Sequence, residues 1–244
     1  MRAEIVQPLS PGWLALLIAI VLAGVSFALQ GYQGINLADE GFLWYGVQRT
    51  AAGEVPLRDF QSYDPGRYYW CAGGAAVFGP GLVALRFSET IAQCVGLFFG
   101  LLAARRLTSN WVVLGAIGLM LTVWMFPSHK IFDHALLLTG IWVATRMVER
   151  PSRERVIVAG AFVGLCTFFG RNHALYNGVA EFGLLLLLRF KMRAEVPLSR
   201  IVDWCMGVIA GLTPLFVMLL FVPGFFASYQ ESIRAIFQNG PNLS

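Results

Sequence analysis

Residues 36–70 read NLADEGFLWYGVQRTAAGEVPLRDFQSYDPGRYYW and form the longest polar stretch of an otherwise largely apolar chain. The segment holds five of the fourteen acidic residues of the chain, together with three arginines. Charges between apolar segments of a membrane protein are costly unless they lie in a solvated loop or serve a function at the membrane face. We therefore take this segment, with Asp39 as its leading residue, as the candidate functional region.

The composition of the whole chain indicates a membrane protein. Hydrophobic residues make up 57% of the sequence, charged residues 13%, and the mean hydropathy is +0.65. Soluble domains are nearer about 45–50% apolar and about 25% charged. The net charge of +4 is modest. The distribution of the basic residues shows no patch of the kind that binds nucleic acid. The fold class predicted is therefore an all-α polytopic membrane protein, with no nucleic-acid partner.

Seven apolar segments are predicted to span the membrane, although several are shorter than the roughly 20 residues that a spanning helix needs. We place the spans at 13–29, 82–104, 111–126, 131–145, 156–170, 174–188 and 204–221. The first also resembles a cleavable signal peptide, but the spans that follow favour an anchor. Segment 68–78 is too short to span and is predicted to form an interfacial or re-entrant helix.

The distribution of Lys and Arg predicts the orientation of these spans. With the N-terminus in the cytoplasm, eleven basic residues lie inside and seven lie outside, as the positive-inside rule favours. This topology brings four polar clusters to the outer face. They are the first outer loop (31–81), Ser128-His129-Lys130 with Asp133-His134, Arg171-Asn172-His173, and the tail 227–244.

Local patterns predict the structure of the first outer loop. Segment 39–52 is predicted to be an aromatic, interfacial helix that starts at Asp39 and Glu40 and ends before Gly53, because acidic residues suit the first turn of a helix and Gly stops one. Asp64-Pro65-Gly66 predicts a turn.

Two further acidic residues fall within predicted spans. Arg86 and Glu89, three residues apart, predict a local ion pair. Glu181 is predicted either to pair with a polar group on another span or to be protonated, because an intramembrane carboxylate is costly.

The order of these features resembles that of the GT-C glycosyltransferases. An acidic pair follows the first span in Ala38-Asp39-Glu40-Gly41-Phe42, and segments 53–60 (GEVPLRDF) and 79–86 (GPGLVALR) follow in the family's order. The closest group is the bacterial family of protein mannosyltransferases, aminoarabinose transferases and lipopolysaccharide-core transferases of the RgtA/B/C/D type. The resemblance implies one transmembrane GT-C module over 1–244, without the family's further spans or soluble domain, so that the chain is a portion or a minimal form.

The resemblance also implies an activity at the outer face of a bacterial inner membrane. Such enzymes move a sugar, with inversion, from a polyprenyl-phosphate carrier among the membrane lipids to a cell-envelope acceptor: a glycolipid, a polysaccharide or a protein. Asp39 is then the expected catalytic base, with the choice between Asp39 and Glu40 open, and Asp133 matches the position of a second acidic residue.

The leaving lipid phosphate needs cationic or hydrogen-bonding partners, because charge-assisted contacts to phosphate are the strong ones. The substrate-binding candidates on the predicted outer face are Arg58, Arg67, Lys130, His134, Arg171 and His173.

A cofactor and a rival class of function stay open. A divalent metal is the one cofactor for which Asp39, Glu40, Asp133 and the histidines supply donors, but no close spacing such as His-x-x-x-His supports it. The rival is a non-catalytic membrane protein: a transporter of lipid-linked sugars, or a degenerate transferase module that assembles with a partner.

Overall fold

The computed structural model of the chain describes residues 12–126, 130–191 and 196–239. These residues form helices and connecting loops, and no β-strand occurs among them. In chain order the helices are α1 (Gly12–Gln30), α2 (Glu40–Ala51), α3 (Pro65–Phe78), α4 (Leu82–Ala104), α5 (Trp111–Trp124), α6 (Ile131–Glu149), α7 (Arg153–Phe169), α8 (Arg171–Lys191), α9 (Ser199–Gly211), α10 (Thr213–Phe221) and α11 (Phe225–Asn239).

Three of the described helices are long and apolar enough to cross a membrane. They are α1 with 19 residues, α4 with 23 and α6 with 19. Helices α9 and α10 meet at a bend of 49°, and would form a fourth span if the bent pair were counted as one. Pro214 lies in the first turn of α10, and proline is a common cause of such bends. The chain is a helical membrane protein by these criteria.

The prediction of seven spans is therefore wrong. Helix α5 is a shorter apolar helix of 14 residues. Helix α7 has 17 residues and starts with Arg153 and Glu154. Helix α8 has sufficient length, but polar residues such as Asn177 and Glu181 are buried along it. Apolar composition alone could not distinguish these helices from spans, and the orientation of the chain remains a prediction.

The helices of the first loop agree with their predicted positions. Helix α2 starts at Glu40 with Asp39 as its N-cap and ends at Ala51, so the predicted helix is confirmed. Gly53, just beyond it, has a positive φ of 94°, which glycine adopts readily. Helix α3 begins at Pro65 rather than within a turn that ends at Gly66, because proline fits the first helical position.

The packing of the helices produces one large core and two smaller ones. Helix α4 lies between α1 and α6, and its buried Leu97 and Leu101 belong to the large core. Helices α7 and α9 make the most extensive contact of any described helix pair. Gly160 and Gly164 on α7 face the backbone of α9, and Gly207 and Gly211 on α9 face that of α7. Small residues at such positions allow two helix backbones to touch.

Gly207→Ala is expected to lower the free energy of unfolding by about 1–3 kcal/mol, a typical cost of overpacking. The new Cβ would collide with the carbonyl oxygen of Ile157 on α7, which is backbone and cannot rotate away. Denaturant titration in detergent micelles measures the change. Gly183→Ala is the matched control, since a Cβ there meets nothing within 4 Å; equal stability of the two variants would contradict the close approach of α7 and α9.

Candidate functional site

A cavity of about 180 Å³ lies where the end of α1, the loop before α2 and the first half of α4 meet. Three acidic residues line it, Asp39, Glu40 and Glu89, and Arg86 is the basic residue among them. Along the chain, α2, α3 and the first turn of α4 lie between Asp39 and Arg86. The cavity is thus a product of the tertiary fold.

Arg86 is the centre of this site. Its Nε donates to Glu40 Oε1 at 2.5 Å, and its Nη2 donates to Glu40 Oε2 at 2.8 Å, which makes a two-point ion pair. Its terminal nitrogens also donate to main-chain carbonyls of the loop that follows α1, with acceptors at Gln30, Gly31, Gln33 and Gly34. Arg86 therefore holds the first loop against α4.

The expected Arg86–Glu89 ion pair is corrected by this geometry. Arg86 pairs with Glu40 because the first turn of α2 brings that carboxylate to the guanidinium, while Glu89 lies one turn further along α4. Glu89 is 1% exposed, and neither of its carboxylate oxygens has a hydrogen-bond partner among the described residues. A buried carboxyl of this kind is costly unless it is neutralised or serves a function.

Asp39 lies beside the ion pair, in the wall of the cavity. It is the N-cap residue of α2, yet its side chain does not cap that helix. Instead Asp39 Oδ2 accepts a hydrogen bond from Asn36 Nδ2 at 3.0 Å. An acidic N-cap residue usually accepts a hydrogen bond from an N–H group of the first helical turn. The Asp39 carboxylate instead contacts the loop before α2.

Sequence reasoning missed the contribution of α4 to this cavity. Arg86, Glu89, Thr90 and Gln93 all line it. Their spacing of three, four and seven residues places them on one face of a helix. This polar stripe within an otherwise apolar helix was the available signal.

A second polar cluster joins the starts of α3, α6 and α8. Arg67, 5% exposed, donates from Nη2 to Asp133 Oδ1 at 2.9 Å and to the main-chain carbonyl of Phe169. His173 Nε2 lies 3.3 Å from the same Asp133 oxygen. Asp133 is not among the described residues that line the cavity. The predicted role of Asp133 in supporting Asp39 as the base remains a prediction.

Asp64 and Arg171 extend this cluster toward α11. Arg171 pairs with Asp64 Oδ1 at 2.5 Å, and its main-chain N–H donates to Asp64 Oδ2 at 2.8 Å. The guanidinium also donates to Ser232 Oγ and lies over the ring of Tyr229. Burial raises the pKa of Asp64, and the positive charge of Arg171 opposes that rise. Arg171 thus connects the first loop to the last described helix.

Asp133→Asn is expected to destabilise the protein by about 3–5 kcal/mol, because removing one partner of a buried ion pair leaves the other charge uncompensated. The charge left behind is that of Arg67, whose side chain is 7% exposed. Chemical unfolding in micelles measures the loss. Asp59→Asn is the control, since the Arg58–Asp59 pair is about one third exposed; an Asp133 variant as stable as this control would contradict a structural ion pair.

The other predicted binding residues lie apart from the cavity or beside it. Arg58 pairs with Asp59 at 2.8 Å, which lowers the pKa of Asp59 to about 2, and it donates to the carbonyl of Pro223. His134 packs against Trp124. Lys130 immediately precedes Ile131, a residue of the cavity lining. His129 and Ser128 lie outside the described residues.

The remaining expectations concern Glu181 and a metal ion. Glu181 accepts a hydrogen bond from Trp204 Nε1 on α9 at 3.3 Å, which agrees with the first of the two alternatives, while its other carboxylate oxygen has no hydrogen-bond partner among the described residues. Among residues 12–126, 130–191 and 196–239, no group of three or more His, Cys, Asp or Glu side chains could hold a metal ion. Of the described donors proposed for a divalent metal, Asp39 and Glu40 line the cavity, whereas Asp133 and His173 belong to the second cluster.

The structure thus brings six of the predicted site residues into two groups. Asp39 and Glu40 share the cavity, while Arg67, Asp133, Arg171 and His173 form the second cluster. Comparisons with family models, with curated proteins and with solved structures find no match for this chain.

Proposed function

We propose that the chain is a membrane glycosyltransferase that moves a sugar from a polyprenyl-phosphate donor to a hydroxyl of a cell-envelope acceptor, with inversion. The observation that supports it is the cavity at the end of α1, in which Asp39 stands beside the Glu40–Arg86 ion pair. The sequence resemblance to GT-C transferases points to the same acidic pair.

In this proposal the two adjacent carboxylates have different roles. Both oxygens of Glu40 accept from Arg86, and the residue is 5% exposed, so Glu40 positions the loop. Asp39 is the base. The acceptor oxygen attacks the anomeric carbon, the bond from that carbon to the phosphate oxygen breaks, and polyprenyl phosphate leaves with the electron pair. Asp39 takes the hydroxyl proton, the role of a general base.

Two of the arginines predicted to bind the donor phosphate already form ion pairs within the chain. Arg67 and Arg171 already bind Asp133 and Asp64, so a phosphate would have to compete with a carboxylate of the chain for either of them. Lys130 is the best placed of the predicted cations, since the residue after it lines the cavity. In the proposal Lys130 binds the donor phosphate at the edge of the cavity.

The arginine pairs also favour a second candidate, the non-catalytic module. If these arginines serve only to hold helices together, the chain would carry a transferase-like site without donor binding. The second candidate predicts a stable, folded chain without transfer activity of its own.

Transfer measured in isolated membranes distinguishes the two. Membranes with and without the chain would be supplied with radiolabelled polyprenyl-phosphate sugars and cell-envelope acceptors. Label that enters acceptor only with the chain present supports the transferase. Absence of transfer with every donor offered, from protein shown to be folded, would favour the non-catalytic candidate.

A further inference from the structure

Acidic side chains outnumber basic ones among the described residues that line the cavity. Asp39, Glu40 and Glu89 supply three carboxyl groups, and Arg86 supplies the one positive charge among its described lining residues. These four side chains together carry a formal charge of −2, or −1 with Glu89 protonated. A concave, partly enclosed site of one sign concentrates ligands of the opposite sign and repels those of its own.

The single guanidinium of the cavity has no donor to spare. A guanidinium has five N–H groups, and Arg86 makes two contacts to Glu40 and four to main-chain carbonyls. An incoming phosphate or carboxylate would therefore have to break contacts that hold the first loop. The N–H groups with which an arginine usually binds an anion are thus already hydrogen-bonded within the chain.

The neutral part of the lining suits hydroxyl groups. Gln30, Gln33 and Gln93 all line the cavity, and an amide side chain both donates and accepts hydrogen bonds, as a hydroxyl does. The volume of about 180 Å³ is close to that of an engineered cavity of about 150 Å³ that binds one benzene ring, so the cavity has room for one ring-sized group. It suits one sugar unit better than a lipid chain.

We propose that the cavity is the acceptor pocket, which receives an uncharged, hydroxyl-rich group and excludes anionic groups. The phosphate of the donor then stays outside the cavity, with the anomeric carbon presented at its opening. The identification of this ligand as the acceptor rests on the proposed transferase function; the selection against anions rests on the charges alone.

Charged thiol reagents measure this selection without any knowledge of the substrate. The exposed side chain of Gln33 lines the cavity, so Gln33→Cys places a thiol within its field, in a chain that carries Cys94→Ser and Cys205→Ser. The rates of modification by a cationic and by an anionic methanethiosulfonate are compared, each divided by its rate with a free thiol. Gln61→Cys, exposed in the same loop and outside the lining, is the matched control.

The cationic-to-anionic rate ratio is expected to be about tenfold larger at position 33 than at position 61 at low salt, the lower limit of electrostatic focusing in a cleft. Salt should reduce this excess. Asp39→Asn should reduce it as well, whereas Glu154→Gln, which removes an exposed acid from the start of α7, should not. Equal ratios at the two positions, or a faster anionic reagent at position 33, would overturn the proposal.

The test is independent of the transfer assay. A high ratio without transfer would reject the proposed function and leave the cavity as a site for a non-anionic ligand. Transfer without a high ratio would reject only the charge selection. Gel filtration of each variant in detergent excludes misfolding as the cause of a changed ratio.

Discussion

Asp39→Asn is expected to lower sugar transfer by about 10²–10⁴-fold, the typical contribution of a general base. The substitution keeps the size of the side chain and its place beside Asn36, whose amide donates to Asp39 Oδ2 in the parent chain. It removes the group that takes the acceptor proton. The measurement is the rate of label transfer from polyprenyl-phosphate sugar in membranes that contain equal amounts of parent and variant chain.

Glu54→Gln is the matched control for this experiment. Glu54 also lies in the first loop, but it pairs with Arg49 and does not line the cavity. The control should retain the transfer rate of the parent chain. Undiminished transfer by the Asp39 variant would move the role of base to Glu40 or Asp133, and equal loss in both variants would indicate damage to the loop rather than to the chemistry.

Arg86→Met is expected to destabilise the protein by about 3–5 kcal/mol, because it leaves the buried Glu40 carboxylate unpaired. It also removes donors from four carbonyls of the loop after α1. The loop should lose its fixed position, so transfer should fall as well. Denaturant unfolding gives the stability, and limited proteolysis at 31–39 reports the release of the loop.

Arg106→Met, just beyond the C-terminal end of α4, provides the comparison. Arg106 pairs with Glu149, whose side chain is 36% exposed, and partly exposed pairs are worth only about 0–1 kcal/mol. The control should therefore be nearly as stable as the parent chain. A loss no larger for Arg86→Met than for Arg106→Met would show that Arg86 does not organise the loop.

Local sequence patterns located the helices of the first loop. Aromatic and acidic residues after position 39, followed by Gly53, predicted α2 to within a residue or two, because helix starts and stops depend on neighbouring residues. The apolar composition of the segments, in contrast, misjudged the number of spans. It does not reveal a bend such as that between α9 and α10 or a buried polar residue such as Asn177 on α8.

The sequence by itself determined a helical membrane protein with an acidic pair, Asp39 and Glu40, directly after its first apolar helix. Only the tertiary structure decided which charges meet. Arg86 binds Glu40, 46 residues away, rather than its helical neighbour Glu89, and Arg67 binds Asp133, 66 residues away. Ion pairs of this range depend on how whole helices pack, since a buried guanidinium binds the carboxylate that the fold brings within hydrogen-bond reach and not the one nearest to it along the chain.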